Sequence, residues 1–186
     1  MSATDEDLMR RVQAGEIAWF EEIVRRHRPI LLRVAASKLG QAAVAEDIVQ
    51  EALLAAFAAR ASYRPEYSFR TWLWTILLNL CKRTYRREKS RSANPLTDEA
   101  TTDLVAPVPG GLQELLSAER AHVLQAALED LPESQADTLR LRFFAGLTFD
   151  EIALAMDCSV SGAKRRAKLG LLQLAERLRS YEESVR

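Results

Sequence analysis

Residues 90–111 read SRSANPLTDEATTDLVAPVPGG, and this stretch constrains the architecture more than any helix does. Three prolines, two glycines and a scatter of Ser, Thr and Asp leave nothing periodic to bury against a core. A structureless piece of this length is out of place inside a compact domain, so the stretch is expected to be a linker. The 186-residue chain is thereby divided into residues 1–89 and residues 112–186. Each part must find its own core.

Both parts are patterned as helices, and no period-2 run of β-branched residues with hairpin turns stands out. The expected class is all-α, two small helical domains joined by a flexible tether. In the first, a short helix from Asp5 to Ala14 should stop at Gly15. A longer one from Ile17 to Leu39 should stop at Gly40, with Pro29 kinking or breaking it midway. Ala43 to Arg60 is a third, alanine-rich helix, and Ser68 stands where the N-cap of a fourth belongs. In the second domain the spacing predicts helices over Leu112–Leu131 and from Pro132 to Phe144. A capping box at Thr148–Glu151 should open a short helix, and a last helix should run from Val160 to Arg179.

Charge adds a second constraint. The chain is neutral overall, with 26 basic and 26 acidic residues, which alone argues against a polyanion binder. The distribution says otherwise. Residues 60–91 hold 9 Lys/Arg against 2 Asp/Glu, residues 92–137 hold 1 against 9, and residues 138–179 hold 8 against 4. Two basic blocks separated by an acidic one fit two polyanion-binding modules, although solvated helix faces give the same pattern. No apolar run reaches the length of a membrane span, and the acidic start MSATDEDLMRR is unlike a secretory signal, so a cytoplasmic location without membrane insertion is expected. Two distant cysteines, Cys81 and Cys158, and two histidines, His27 and His122, offer no zinc pattern. No cofactor is expected, and no catalytic triad or phosphate loop appears.

The fourth helix, within EYSFRTWLWTILLNLCKRTYRR, mixes apolar and basic residues in an unusual way. Phe69, Trp72, Leu73, Ile76, Leu77 and Leu80 recur at helical spacing and are expected to be its core stripe. Thr75, Asn79, Lys82 and Arg86 recur on another face, flanked by Arg83 and Arg87. Amide, guanidinium and ammonium groups on one exposed face can serve base edges and phosphates. The preceding loop adds Tyr63, Arg64 and Tyr67, whose rings could stack on unpaired bases. In the second part, two short helices joined by a tight turn at Asp157-Cys-Ser lead into the basic run Lys164-Arg165-Arg166-Ala167-Lys168. This is the pattern of a helix-turn-helix whose second helix enters a major groove. Ile152 and Met156 should supply its core, and Ala153 its close helix approach.

In order, the runs GEIAWFEEIVRRHRPILLRVA, AEDIVQEALLAAF, SFRTWLWTILLN and LPESQADTLRLRFFAGLTFDEIA, followed by the basic last helix, resemble a bacterial RNA polymerase sigma factor of the extracytoplasmic-function (ECF) group. The resemblance covers nearly the whole chain. It implies that residues 1–89 are sigma region 2, residues 90–111 the linker, and residues 112–186 sigma region 4. Asp47, Gln50 and Glu51 would dock on the β′ clamp helices of core RNA polymerase, with region 4 on the β flap. Tyr63, Arg64, Tyr67, Arg70, Thr75, Asn79, Lys82, Arg83 and Arg86 would melt and read the minus-10 element of promoter DNA. Ser161, Lys164, Arg165, Arg166 and Lys168 would read the minus-35 element. Factors of this group are often held by an anti-sigma factor, so that partner is implied too.

The recognition helix departs from the family pattern. Asp157 replaces the usual turn glycine, which an aspartate can do by adopting the left-handed conformation. Gly162 and Ala163 stand where larger residues are common, and Leu169 and Leu171 fall where basic residues often lie. Gly170 costs roughly 1 kcal/mol of helix relative to Ala. The rival is a stand-alone dimeric helix-turn-helix regulator, which accounts for the last helices but gives AEDIVQE and the aromatic loop no task.

Overall fold

A computed structural model describes residues 3–92 and 112–185, and the expected linker, residues 90–111, lies outside them from residue 93 on. The described residues are helical, with no strand among them. They fall into two compact units, N-terminal and C-terminal.

The N-terminal unit is built from α1 (Asp5–Gln13), α2 (Trp19–Leu39), α3 (Ala42–Ala58) and α4 (Phe69–Ser92). α1 opens with a capping box: the Asp7 amide donates to Thr4 Oγ1 (3.1 Å) and the Thr4 amide to the Asp7 carboxylate (3.3 Å). α2 passes through Pro29 without a break. Pro29 is exposed, so the carbonyl one turn back that loses its donor lies on the solvent side, where water can satisfy it. Gly40, at φ 74°, ends this helix. α3 lies on α2 through Ala45, Ile48, Val49, Ala52 and Ala56, all buried. Its small residues let the helix axes approach closely. α4 reaches Ser92, so Ser90–Ser92, expected in the connector, are helical.

The inward face of α4 differs from the expected stripe. Phe69, Leu73, Trp74, Leu77, Leu78 and Cys81 are buried, whereas Trp72, Ile76 and Leu80 are only partly so. At roughly 100° per residue, Trp72 falls close to Asn79 rather than to Leu77. Apolar residues occur almost all round this helix, so the spacing from Phe69 fits more than one face.

The C-terminal unit comprises α5 (Leu112–Glu129), α6 (Glu133–Leu139) with a π-helical turn at Arg140–Phe144, α7 (Phe149–Ala155) and α8 (Val160–Val185). Pro132 caps α6, and Gly146, at φ 66°, permits the turn that follows Phe144. The capping box of α7 forms: the Thr148 amide donates to Glu151 Oε2 (2.7 Å) and the Glu151 amide to Thr148 Oγ1 (3.2 Å). Leu128, Leu131, Ala136, Leu139 and Ala167 form a core cluster, with Leu124, Phe144, Phe149 and Leu174 packed against it. Ile152 and Ala153 are buried as expected, but Met156 is half-buried. Asp157 has φ 49°, the left-handed turn expected of it. α8 continues beyond Arg179 to Val185.

Candidate nucleic-acid interface

The loop between α3 and α4 is held from inside. Tyr63, expected to stack on bases, is 4% exposed, and its ring packs against Phe69 (centroids 5.5 Å apart) and Trp72 (5.1 Å). Its hydroxyl donates to the Tyr67 carbonyl at 2.6 Å, and burial pushes its pKa up to about 12. A neutral, bonded phenol under the loop is a strut and not a base platform. The loop closes further where the Tyr67 amide donates to the Arg64 carbonyl (3.0 Å). Arg64, Pro65, Glu66, Tyr67 and Ser68 are left exposed, Tyr67 at 66%. Of the two tyrosines, Tyr67 is the one available to a ligand.

Ser68 starts α4 by accepting the Thr71 amide on its hydroxyl (3.4 Å) and the Trp72 amide on its carbonyl (3.1 Å). From there Asn79, Lys82, Arg83 and Arg86 project outward and are exposed. Thr75 is half-buried and donates its hydroxyl to the Thr71 carbonyl (3.0 Å), so it borders the face instead of reaching from it. Arg70 is half-buried and roughly 180° round the helix from Asn79. It does not join that face. Trp72 does, as a half-buried edge between the loop and Asn79.

On α3, Asp47, Gln50 and Glu51 are all exposed on one side, while Ile48 and Ala52 point into the core. Leu54 continues this stripe one turn on and is 61% exposed. Its spacing of i+7 from Asp47 was the signal that the sequence reading passed over. Glu51 is also ion-paired to Arg83 of α4, Oε1 to Nη2 at 2.7 Å. One salt bridge therefore joins the acidic face of α3 to the basic face of α4.

In the C-terminal unit, Ser159 caps α8 by accepting the Gly162 amide at 3.0 Å. Ser161, Lys164, Arg165 and Lys168 are exposed on one side of α8. Arg166 is half-buried and roughly 160° away from Lys168, so it leaves the expected set. Ala163 and Ala167 are buried on the opposite side, and Gly170 packs where an added Cβ would come within 3.0 Å of Leu139 Cδ1. Of the small residues that depart from the family pattern, Gly170 is part of the seat of α8 on α6 and Ala163 is fully buried. Beside Lys164 and Lys168 lies a groove floored by Phe149, Ala167, Leu171 and Leu172. Among the described residues no cluster of His, Cys, Asp and Glu could hold a metal ion, and no helix is long and apolar enough to cross a membrane.

A buried helical bundle with an acidic and a basic outer face, paired with a helix-turn-helix unit, defines a two-module DNA-directed factor. Comparison with known proteins agrees. Residues 23–91 match the Sigma-70 region 2 model and residues 121–174 match the Sigma-70, region 4 model. The chain is 30% identical over 170 residues to the ECF RNA polymerase sigma-E factor of Escherichia coli K12, covering 88% of each. It is 29% identical over 171 residues to the RNA polymerase sigma-H factor of Pseudomonas aeruginosa, covering 87% of each. In fold it is similar to CnrH, solved in complex with the cytosolic domain of CnrY (TM-score 0.74, 22% identity, 95% of this chain and 97% of that one). It is also similar to the sigma factor RpoE, solved with the anti-sigma factor NepR from Bartonella quintana (TM-score 0.69, 22% identity, 86% and 96%). The chain belongs to the ECF RNA polymerase sigma factors. Its function is therefore to give core RNA polymerase its promoter specificity at initiation, and the stand-alone dimeric regulator is not favoured.

Proposed function

We propose a division of labour among the faces described above. Asp47, Gln50, Glu51 and Leu54 form the surface of α3 that meets the β′ clamp helices of core polymerase. Two carboxylates and an amide leading up to one exposed leucine on the same side of α3 suit a basic amphipathic partner helix. Arg64 and Tyr67 of the loop, with Asn79, Lys82, Arg83 and Arg86 of α4, engage the minus-10 element. Tyr67 supplies the stacking surface, Asn79 the base-edge amide and the cations the phosphate contacts. Thr75 and Trp72 border that site. Ser161, Lys164, Arg165 and Lys168 of α8 meet the minus-35 element, and the β flap contacts the same C-terminal unit. The chain acts by binding and not by catalysis, in the cytoplasm where the polymerase is. The complex in which RpoE was solved, with the anti-sigma factor NepR, supports an anti-sigma partner for this chain as well.

The observation that carries this reading is the joint exposure of residues 64–68, which lead into α4, and of Asn79, Lys82 and Arg86 along one side of that helix, with half-buried Trp72 and Thr75 between them. Its test is a pair of double variants. Asp47→Lys with Glu51→Lys should stay folded by circular dichroism and fail to co-purify with core polymerase. Asn79→Ala with Lys82→Ala should co-purify normally and lose transcription from a mapped promoter. A folded Asp47/Glu51 variant that still binds core would refute the assignment of α3.

A further inference from the structure

Helix α1 lies ahead of residues 23–91, the part matched to Sigma-70 region 2, and nothing above gives it a task. Its polar side chains are nonetheless aimed at one place. The Gln13 side-chain amide nitrogen donates two hydrogen bonds at 2.8 Å each, to the carbonyls of Arg60 and Tyr63. The first carbonyl opens the 3-10 turn Arg60–Ser62 and the second follows it, where the chain enters the loop. At the other end, Glu6 Oε1 accepts the amide of Phe69, the first residue of α4, at 3.0 Å. That is a free helix-start donor, where a carboxylate also meets the positive end of the helix dipole. α1 is in turn fixed to α2, because Asp5 meets His27 Nε2 (2.7 Å) and Arg26 Nη1 (3.0 Å). Leu8, Met9 and Val12 are buried beneath. Both ends of the loop are thus tied to one rigid helix, and the Tyr63 hydroxyl braces it from within at the Tyr67 carbonyl.

We propose that α1 is the positioning element of the promoter-reading loop, with Gln13 and Glu6 fixing the ends between which Arg64 and Tyr67 are presented to DNA. This rests on the reading of the loop as the minus-10 contact. A loop of five exposed residues without such ties would sample many conformations, and DNA binding would have to order it at an entropic cost. The ties remove that cost beforehand. They also hold Tyr67 at one distance from Asn79, which is what discrimination between bases requires. Gln13 is suited to the task because its NH₂ group carries two donors, enough for two carbonyls at once.

The test uses holoenzyme assembled from core RNA polymerase and the full chain, transcribing a pool of templates randomised across both promoter elements. Sequencing gives an enrichment for each element, separate from total yield. Gln13→Glu keeps the shape but loses both donors; its downstream-element enrichment should fall roughly tenfold, equivalent to 1.4 kcal/mol, with upstream enrichment unchanged. Glu6→Ala should behave alike, and Glu6→Gln, which keeps an acceptor for the Phe69 amide, should restore the parental profile. Amide exchange at Phe69 should accelerate in Glu6→Ala while amides in the middle of α2 keep their protection. Lower yield with both enrichments unchanged would mean that α1 only adds stability, and would overturn the proposal. Arg64→Ala with Tyr67→Ala separates the layers of the argument. If this variant keeps its downstream enrichment, the loop reads no DNA and both readings fall. If it loses enrichment while Gln13→Glu and Glu6→Ala keep theirs, only the role of α1 falls.

Discussion

Helices α4 and α8 each turn a basic face outward, yet they are seated in their units by opposite means. α4 drives large side chains inward, and Phe69, Leu73, Trp74 and Leu77 are each no more than 1% exposed. α8 turns small residues inward: Ala163 is fully buried, Ala167 shares a core cluster with Ala136 and Leu139 of α6, and Gly170 lies against Leu139. A seat of large residues fills the core side of α4, while Trp72, Ile76 and Leu80 stay half-buried around the exposed Asn79, Lys82 and Arg86. A seat of small residues brings backbones close but takes up little apolar area. Leu169, Leu171 and Leu172 consequently remain 39–60% exposed among the cations. The first kind of seat fails when a residue is made smaller, the second when one is made larger.

The largest effect should come from emptying the seat of α4. Trp74→Ala leaves a cavity under a fully buried ring and should destabilise the N-terminal unit by about 3–5 kcal/mol. Trp72→Ala, at the half-buried edge, should cost clearly less stability and reduce promoter opening more than its stability loss explains. Chemical denaturation of both variants beside an open-complex assay checks this. Equal stability losses would put the two tryptophans on one footing and dissolve the distinction of faces.

How much of this was legible beforehand differs between the same two helices. The α-helices among the described residues, the Thr148 capping box and the Ser68 cap follow from local chemistry, which is written in consecutive residues; the left-handed Asp157 followed from the resemblance, which puts a turn glycine there. The inward face of α4 was not, because Trp72, Ile76 and Leu80 are as apolar as the residues that are buried. Only the positions of α2 and α3 choose between them. For Tyr63 the missing information was its neighbours: a phenol reads as surface until Phe69 and Trp72 enclose it. Gln13 and Glu6 were invisible for a related reason, since their partners are backbone groups far along the chain. Gly170 read as a cost because helix propensity omits Leu139 across the interface.

The seat of α8 should break in the other direction. Gly170→Leu forces a side chain into space where even a Cβ would meet Leu139 at 3.0 Å. It should destabilise the C-terminal unit by about 1–3 kcal/mol despite the better helix propensity of leucine. Thermal unfolding followed through that unit decides the matter. A neutral result would show that α6 yields easily and that smallness at this position carries no packing role.

A finer test concerns the outer face of α8. Lys168→Ala should weaken upstream-element binding by the holoenzyme and lower the slope of affinity against salt by about one contact. Arg166→Ala, on the other side of the helix, should leave that slope unchanged. If the two variants behave alike, the face assigned here is too narrow, and the recognition helix is turned further into the groove than its exposed residues indicate.

The smallest expected effect probes the salt bridge between Glu51 and Arg83. Both side chains are well exposed, 49% and 68%, so the pair itself is worth only about 0–1 kcal/mol. Its position gives it a consequence beyond that value. Arg83 belongs to the face assigned to DNA, and Glu51 to the face assigned to polymerase. While paired, neither offers its full charge to an outside partner. A polymerase cation that takes Glu51 frees Arg83 for a phosphate, and the coupling must be reciprocal. Glu51→Gln removes this competition without polymerase, so the isolated chain should bind a minus-10 single strand up to roughly fivefold more tightly at low salt. Screening should erase the gain as ionic strength rises. In the Glu51→Gln, Arg83→Gln double variant the gain should vanish at all salt concentrations, because the cation released by the first change is absent. Fluorescence anisotropy with the parent, Glu51→Gln, Arg83→Gln and the double variant closes the cycle. Equal affinity of parent and Glu51→Gln at low salt would show that Arg83 reaches DNA without leaving Glu51, and that the two faces of this domain act independently.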